Sequence, residues 1–150
     1  MTDLKNLYQE AVLDHYRKPR NFHEIENANR QAGGFNALCG DKLSVFIRIE
    51  NGVVKDIGFV GSGCAIFMAS ASMMTESLKG KTETDAKAIF ERFHQLVTGR
   101  SETQPDPATL GNLAIFSGIR EYPVRVKCAT LAWQTMRAAL EGTKEIIATE

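Results

Sequence analysis

The chain has 150 residues, 43% of them apolar, which suffices for one buried core and predicts a single domain over residues 1–150. Its 18 basic and 18 acidic residues cancel to zero formal charge, so there is no electrostatic footprint for nucleic acid or an anionic membrane. The start, MTDLKNLYQE, lacks a basic patch followed by an apolar core, and no apolar run approaches the ~18 residues of a spanning helix; the expected location is the cytoplasm.

The first segment, LKNLYQEAVLDHYRKPRN, places Leu4, Leu7 or Tyr8, Ala11 or Val12, and His15 or Tyr16 at helical spacing, and Pro19 ends it. From Glu24 to Phe35 polar and small residues carry no period, which predicts a loop ending in Gly33-Gly34. Two alternating runs follow: Leu43, Val45, Ile47, Ile49, and then Val53, Ile57, Phe59, with Lys55 out of step. They predict a hairpin around Asn51-Gly52. A three-residue loop, Glu50 to Gly52, pairs Ile49 with Val53, Val45 with Ile57 and Leu43 with Phe59, and puts all of them on one face. Extended past the strand ends, this register brings Cys39 and Cys64 side by side.

The period then changes. Phe67, Ala71, Met74 and Leu78 predict a helix packed on the sheet, with Cys64 at its N-terminus and an end near Gly80. Thr84 to Thr98 predicts another, with Ile89, Phe93, Leu96 and Val97 inward and Gly99 as its stop. A polar connection from Gly99 to Gly118 holds Pro105 and Pro107 and leaves room for one short helix after it. Pro123 keeps Tyr122 extended, and CATLAWQTMRAALEGTKEII predicts a last helix that Cys128 opens.

An odd count of three cysteines in a reducing compartment argues against a disulfide framework. Each is a buried apolar thiol, a metal ligand or a nucleophile. Helix N-termini favour a thiolate, and Arg125 and Lys127 just before Cys128 would add positive charge if they turn inward; as solvated residues they would add none. Three sulfurs leave a tetrahedral metal one ligand short, and zinc accepts a carboxylate oxygen. Asp41, two residues after Cys39 in CGD, is the nearest candidate, with a solvated turn aspartate as the alternative. His15 reads as a packed histidine or a fourth ligand, Met68, Met73 and Met74 as core filler, and Trp133 as a core or interface anchor.

LYQEAVLDHYRKPRN, LCGDKL, GSGCAIFMASASMMTESLKGK and YPVRVKCATLAW together resemble the U-type iron–sulfur cluster assembly proteins, most closely the SufU branch of the IscU/NifU-like family. The resemblance implies an α+β fold, a small antiparallel sheet covered on one face by helices, with a metal site at one end formed by Cys39, Asp41, Cys64 and Cys128. It implies a zinc-dependent sulfur acceptor, with Cys39 taking persulfide sulfur from a pyridoxal-phosphate cysteine desulfurase of the SufS type and downstream SUF scaffold proteins as recipients. The alternative it carries is a scaffold holding a transient [2Fe–2S] cluster, or iron, at the same residues. Scaffold-type members have a histidine immediately before the last cysteine, where this chain has Lys127, and a shorter connection between the second and third cysteines. EYPVRVKC also departs from the Leu-Pro-Pro-Val-Lys chaperone motif of the scaffold type.

Overall fold

The computed structural model describes residues 4–99, 111–142 and 147–148. Pro105 and Pro107 lie outside the described residues, as do the side chains of Leu4 and Leu7. In chain order the elements are α1 (Leu4–Arg17), β1 (Arg30–Asn36), β2 (Asp41–Glu50), β3 (Val53–Ser62), α2 (Ala65–Leu78), α3 (Glu83–Thr98), a 3₁₀ segment (Gly111–Glu121), α4 (Pro123–Leu140) and the short β4 (Ile147–Ala148). The sheet order is β3-β2-β1-β4; β1, β2 and β3 are antiparallel neighbours, and β4 lies parallel to β1.

The long hairpin departs from the expected register. Its turn has two residues, Asn51 and Gly52, both with positive φ (53° and 74°), and Glu50 pairs with Val53. Left uncorrected, that turn would put the two apolar sets on opposite faces. A bulge corrects it: Ile49 pairs with Val54, Arg48 with Asp56, and Lys55 is the extra residue. From there Ile47 faces Ile57 and Val45 faces Phe59, all four fully buried. Lys55 was the one break in the alternation because it belongs to no pair.

A second departure is β1, which replaces part of the expected loop. Its inward positions are Ala32, Gly34 and Asn36, paired with Val45, Leu43 and Asp41. Small residues are needed there because α4 packs on this strand, so the run shows no apolar alternation and is recruited by the pairing edge of β2. A third concerns α4, which begins at Pro123 and not at Cys128. Proline suits the first helical position, where its missing donor costs nothing and its fixed φ is already helical. Cys128 therefore lies in the second turn. The 3₁₀ segment likewise starts at Gly111, inside the expected connection.

α2 is the central helix, packed against α1, α4 and β3. That explains its buried Met68, Met73 and Met74, and also its buried Ser70, Ser72 and Thr75. Those hydroxyls are all bonded: Ser70 donates to the Ala129 carbonyl at 2.6 Å, and Ser72 accepts the Arg20 amide at 2.8 Å. Trp133 is fully buried, stacked on Phe93 with ring centroids 4.5 Å apart, and donates from Nε1 to Ser70 Oγ. α3 runs from its Thr82 cap to left-handed Gly99, with Ile89, Phe93, Leu96 and Val97 buried as the periodicity predicts. Among the described residues every buried side-chain nitrogen and oxygen has a partner.

Candidate metal centre

The same alternation that builds the core delivers the site. On β2 the inward residues Ile47, Val45 and Leu43 continue two places back to Asp41, which is 1% exposed. Its pairing partner on β1 is Asn36, fully buried. Between these two the chain turns through Ala37, Leu38, Cys39 and Gly40, closed by the Gly40 amide donating to the Asn36 carbonyl at 2.9 Å. Gly40 has φ 74°, a conformation glycine adopts without penalty, and it turns Cys39 back over Asp41.

Cys64 arrives from the other side as the N-cap of α2. Its sulfur accepts the Phe67 amide at 3.5 Å, and its own amide donates to Asp41 Oδ1 at 2.9 Å. The close approach depends on Gly63, where any side chain would run into the Asp41 carboxylate and the Phe67 ring. Cys128, 0% exposed on α4, completes the group from above the sheet. One atom each of Cys39, Asp41 and Cys128 lie within 4.8 Å of one another. The Cys128 and Cys39 sulfurs are 3.3 Å apart, and the Cys64 sulfur stands 4.0 Å from Asp41 Oδ2. Ligands at about 2.3 Å around a tetrahedral ion are separated by roughly 3.7 Å, so Cys39, Asp41 and Cys128 at these spacings suit a thiophilic divalent metal, while the Cys64 sulfur lies beside Asp41 but outside that mutually close set. All three cysteines are free of disulfides.

The cysteine arrangement differs from the hairpin extrapolation in one respect: the sulfur touching Cys39 belongs to Cys128, while Cys64 approaches Asp41. The site's electrostatics follow from these contacts. The Cys64 thiol is pushed down to about 6, first by the hydrogen bond with Cys128 and then by the Phe67 and Ile66 amides, against the opposing effects of burial and Asp41. The Cys128 thiol is pushed up, chiefly by that same bond with Cys64, then by burial and by Cys39.

Of the two cations considered, Arg125 is exposed and lines a cavity of about 630 Å³ with Tyr8, Ile66 and Tyr122. Its charge acts on the Tyr8 phenol, whose pKa burial nonetheless raises. Lys127 is half-buried on α4. His15 is packed, with Nδ1 2.7 Å from Ser72 Oγ. Asn36 was missed from sequence. Its Nδ2 donates to the Cys128 sulfur at 3.9 Å while its Oδ1 accepts the Leu38 amide at 3.1 Å, so one buried amide ties the Cys39 loop to α4. The available signal was an asparagine three residues before a cysteine in CGD.

A family model described as the NifU-like N-terminal domain matches residues 7–129. The chain belongs to that family. Within it, this NifU-like domain is 35% identical over 134 residues to the zinc-dependent sulfurtransferase SufU of Bacillus subtilis, covering 89% of each chain. It is 36% identical over 137 residues to the iron–sulfur cluster assembly scaffold protein IscU of Thermotoga maritima, covering 91% of this chain and 94% of the other. Among solved structures, an iron–sulfur cluster assembly scaffold protein for the SUF system from Fervidobacterium islandicum superposes with a TM-score of 0.82 at 32% identity, over 90% of this chain and 97% of that one. The α+β fold with helices packed on a small sheet is thus the fold of this NifU-like family.

Proposed function

We propose that this NifU-like protein is a cytoplasmic zinc-dependent sulfur acceptor for iron–sulfur cluster assembly, that Cys39, Asp41, Cys64 and Cys128 hold one Zn²⁺, and that Cys39 takes the persulfide sulfur of a pyridoxal-phosphate cysteine desulfurase of the SufS type. The observation that carries the reading is the convergence of Cys39, Asp41 and Cys128 within 4.8 Å at one end of the sheet. Bound zinc would keep the thiols deprotonated and the Cys39 loop ordered. Cys39 suits the acceptor role because it is half-exposed at a hairpin tip beside Leu38, which is 64% exposed, while Cys128 is fully buried. In the transfer, the Cys39 thiolate attacks the terminal sulfur of the desulfurase persulfide; a new S–S bond forms on Cys39 and the desulfurase cysteine leaves as thiolate. Downstream SUF scaffold proteins would then receive the sulfur.

A second reading, a scaffold for a transient [2Fe–2S] cluster at the same residues, is favoured by one observation, the scaffold name of the Thermotoga maritima relative; thiolates suit both metals. Lys127, where scaffold-type members carry a ligating histidine, weighs against it. Elemental analysis and a visible spectrum of anaerobically purified protein, with a desulfurase stimulation assay, test the choice. The expected result is about one zinc per chain, no visible band, and stimulation that Cys39→Ser abolishes. Iron with matching acid-labile sulfide would favour the scaffold, and stimulation by Cys39→Ser equal to wild type would remove Cys39 as acceptor.

A further inference from the structure

Asn36 is larger and more polar than its place in the strand asks for. Its neighbours on the inward face of β1 are Ala32 and Gly34, small enough to admit α4, and packing alone would accept an alanine. The asparagine is nevertheless fully buried, and burying an amide costs free energy unless both its ends are bonded. Both are. Its Oδ1 accepts the Leu38 amide at 3.1 Å and its backbone carbonyl accepts the Gly40 amide at 2.9 Å, so the turn that carries Cys39 is tied down twice. Its Nδ2 donates to the Cys128 sulfur at 3.9 Å. A serine could close the same turn, because a hydroxyl also accepts the amide two residues on. It has no second arm for α4, so the bond to sulfur is what asparagine adds.

The sulfurs of Cys64 and Cys128 obtain N–H donors by different means. Cys64 is the N-cap of α2, where first-turn amides have no partner inside the helix, and it takes that of Phe67. Cys128 lies in the second turn of α4, which starts at Pro123, and amides beyond a helix's first turn are used within it. Its donor comes from a side chain of another element. We infer that Asn36 is the positioning residue of the metal centre: its amide holds the Cys128 sulfur and the Cys39 turn at once, so that Cys39 can leave the metal for its sulfur donor while Cys128 stays in place. This rests on the reading of these residues as a metal site. A hydrogen bond to a metal-bound sulfur draws off part of its charge and fixes its direction. Movement of Cys39 is confined to the turn, because Asn36 itself belongs to the ladder between β1 and β2, paired with Asp41.

The test loads the full chain with cadmium, a thiophilic metal with a spin-active isotope, and needs no desulfurase. In wild type, correlation spectra are expected to couple the metal to cysteine β protons and, through the Cys128 sulfur, to a side-chain amide proton of Asn36. Affinity is then read by chelator competition. Asn36→Ser keeps the turn bond and Asn36→Ala loses it, so metal-free stability in denaturant is expected to fall further for alanine, while both variants lose affinity by about tenfold to a hundredfold. In a Cys128→Ala background, checked by circular dichroism for folding, Asn36→Ser is expected to change affinity by less than about twofold, because the sulfur it acts through is gone. Cysteine couplings without one to Asn36, wild-type affinity in Asn36→Ser, or an equal loss with and without Cys128 would overturn the inference. Absence of every cysteine coupling would instead overturn the metal-centre reading, and the inference with it.

Discussion

The two ends of the sheet solve the same problem, reversing the chain between strands, with different materials. At the Asn51-Gly52 end, backbone does the work. The Val54 amide donates to the Lys81 carbonyl at 2.8 Å, the Gly80 amide to the Val54 carbonyl at 2.7 Å and the Glu83 amide to the Gly52 carbonyl at 2.9 Å, and Thr82 caps α3. At the Cys39-Gly40 end a buried carboxylate, a buried amide and three sulfurs crowd together. Burying Asp41 costs free energy that a turn does not require. The contrast teaches that one end is explained by folding alone, while the other carries groups whose purpose is chemistry.

Glycine substitutions should break this comparison most sharply. At Gly63 an added methyl meets the Asp41 carboxylate and the Phe67 ring, both packed, so Gly63→Ala is expected to cost about 1–3 kcal/mol of stability and to lose metal. At Gly52 nothing lies within 4 Å but φ is 74°, so Gly52→Ala is expected to cost roughly 1 kcal/mol from backbone strain with metal content unchanged. Denaturant unfolding and metal stoichiometry on both variants check this. A Gly63→Ala protein with full metal would mean that the Asp41 position is not needed for binding.

Two side-chain helix caps among the described residues sharpen it further. Thr82 accepts the Asp85 amide at 3.0 Å, and Thr82→Ala should cost about 1 kcal/mol and nothing in metal affinity. Cys64 also caps a helix, but serine is the better capping residue. Cys64→Ser should therefore leave metal-free stability equal or higher, while metal affinity falls by more than about tenfold for the lost thiolate. Competition with a chromophoric chelator reads the affinity. Unchanged affinity would reduce Cys64 to a cap.

How much of this was legible in sequence depended on whether a residue's position followed from a local period. Asp41 sits inward because it continues the Leu43, Val45, Ile47 alternation, and Cys64 sits at a helix start because the period switches just after it. Both are readable. Cys128 was placed a turn too early because a proline was read only as a barrier, although it also starts helices. β1 was invisible because its inward residues are an alanine, a glycine and an asparagine, chosen to admit α4 rather than to be apolar. With β1 unread, Asn36 had no face to point to and no partner in Asp41. The hairpin register was wrong because one bulged residue, Lys55, changes the pairing without changing the pattern on either side of it. Tertiary proximity between Cys39 and Cys128 was not readable at all, since it depends on how α4 lies across β1.

Acid should reach the rest of the molecule and the thiol end by separate routes, and His15 allows them to be told apart. Its pKa lies below 6.5, first because it is buried and then because of Arg20, with Glu76 and Asp14 acting in the opposite sense. Between 6.5 and its folded value the unfolded chain binds a proton that the folded chain does not. Stability from this group is therefore complete above pH 6.5 and declines as pH falls through that window. The lowered Asp14 pKa, held down first by its hydrogen bond with Arg20, acts in the same direction, but only below its ordinary 3.8. At the thiol end, protons instead compete with metal for the cysteines. His15→Gln can keep a hydrogen bond to Ser72 but does not titrate; it should flatten the stability profile just below pH 6.5 and leave the pH of metal release where wild type has it. A metal-release midpoint that moved with the His15 substitution would couple α1 to the site and undo the division between them.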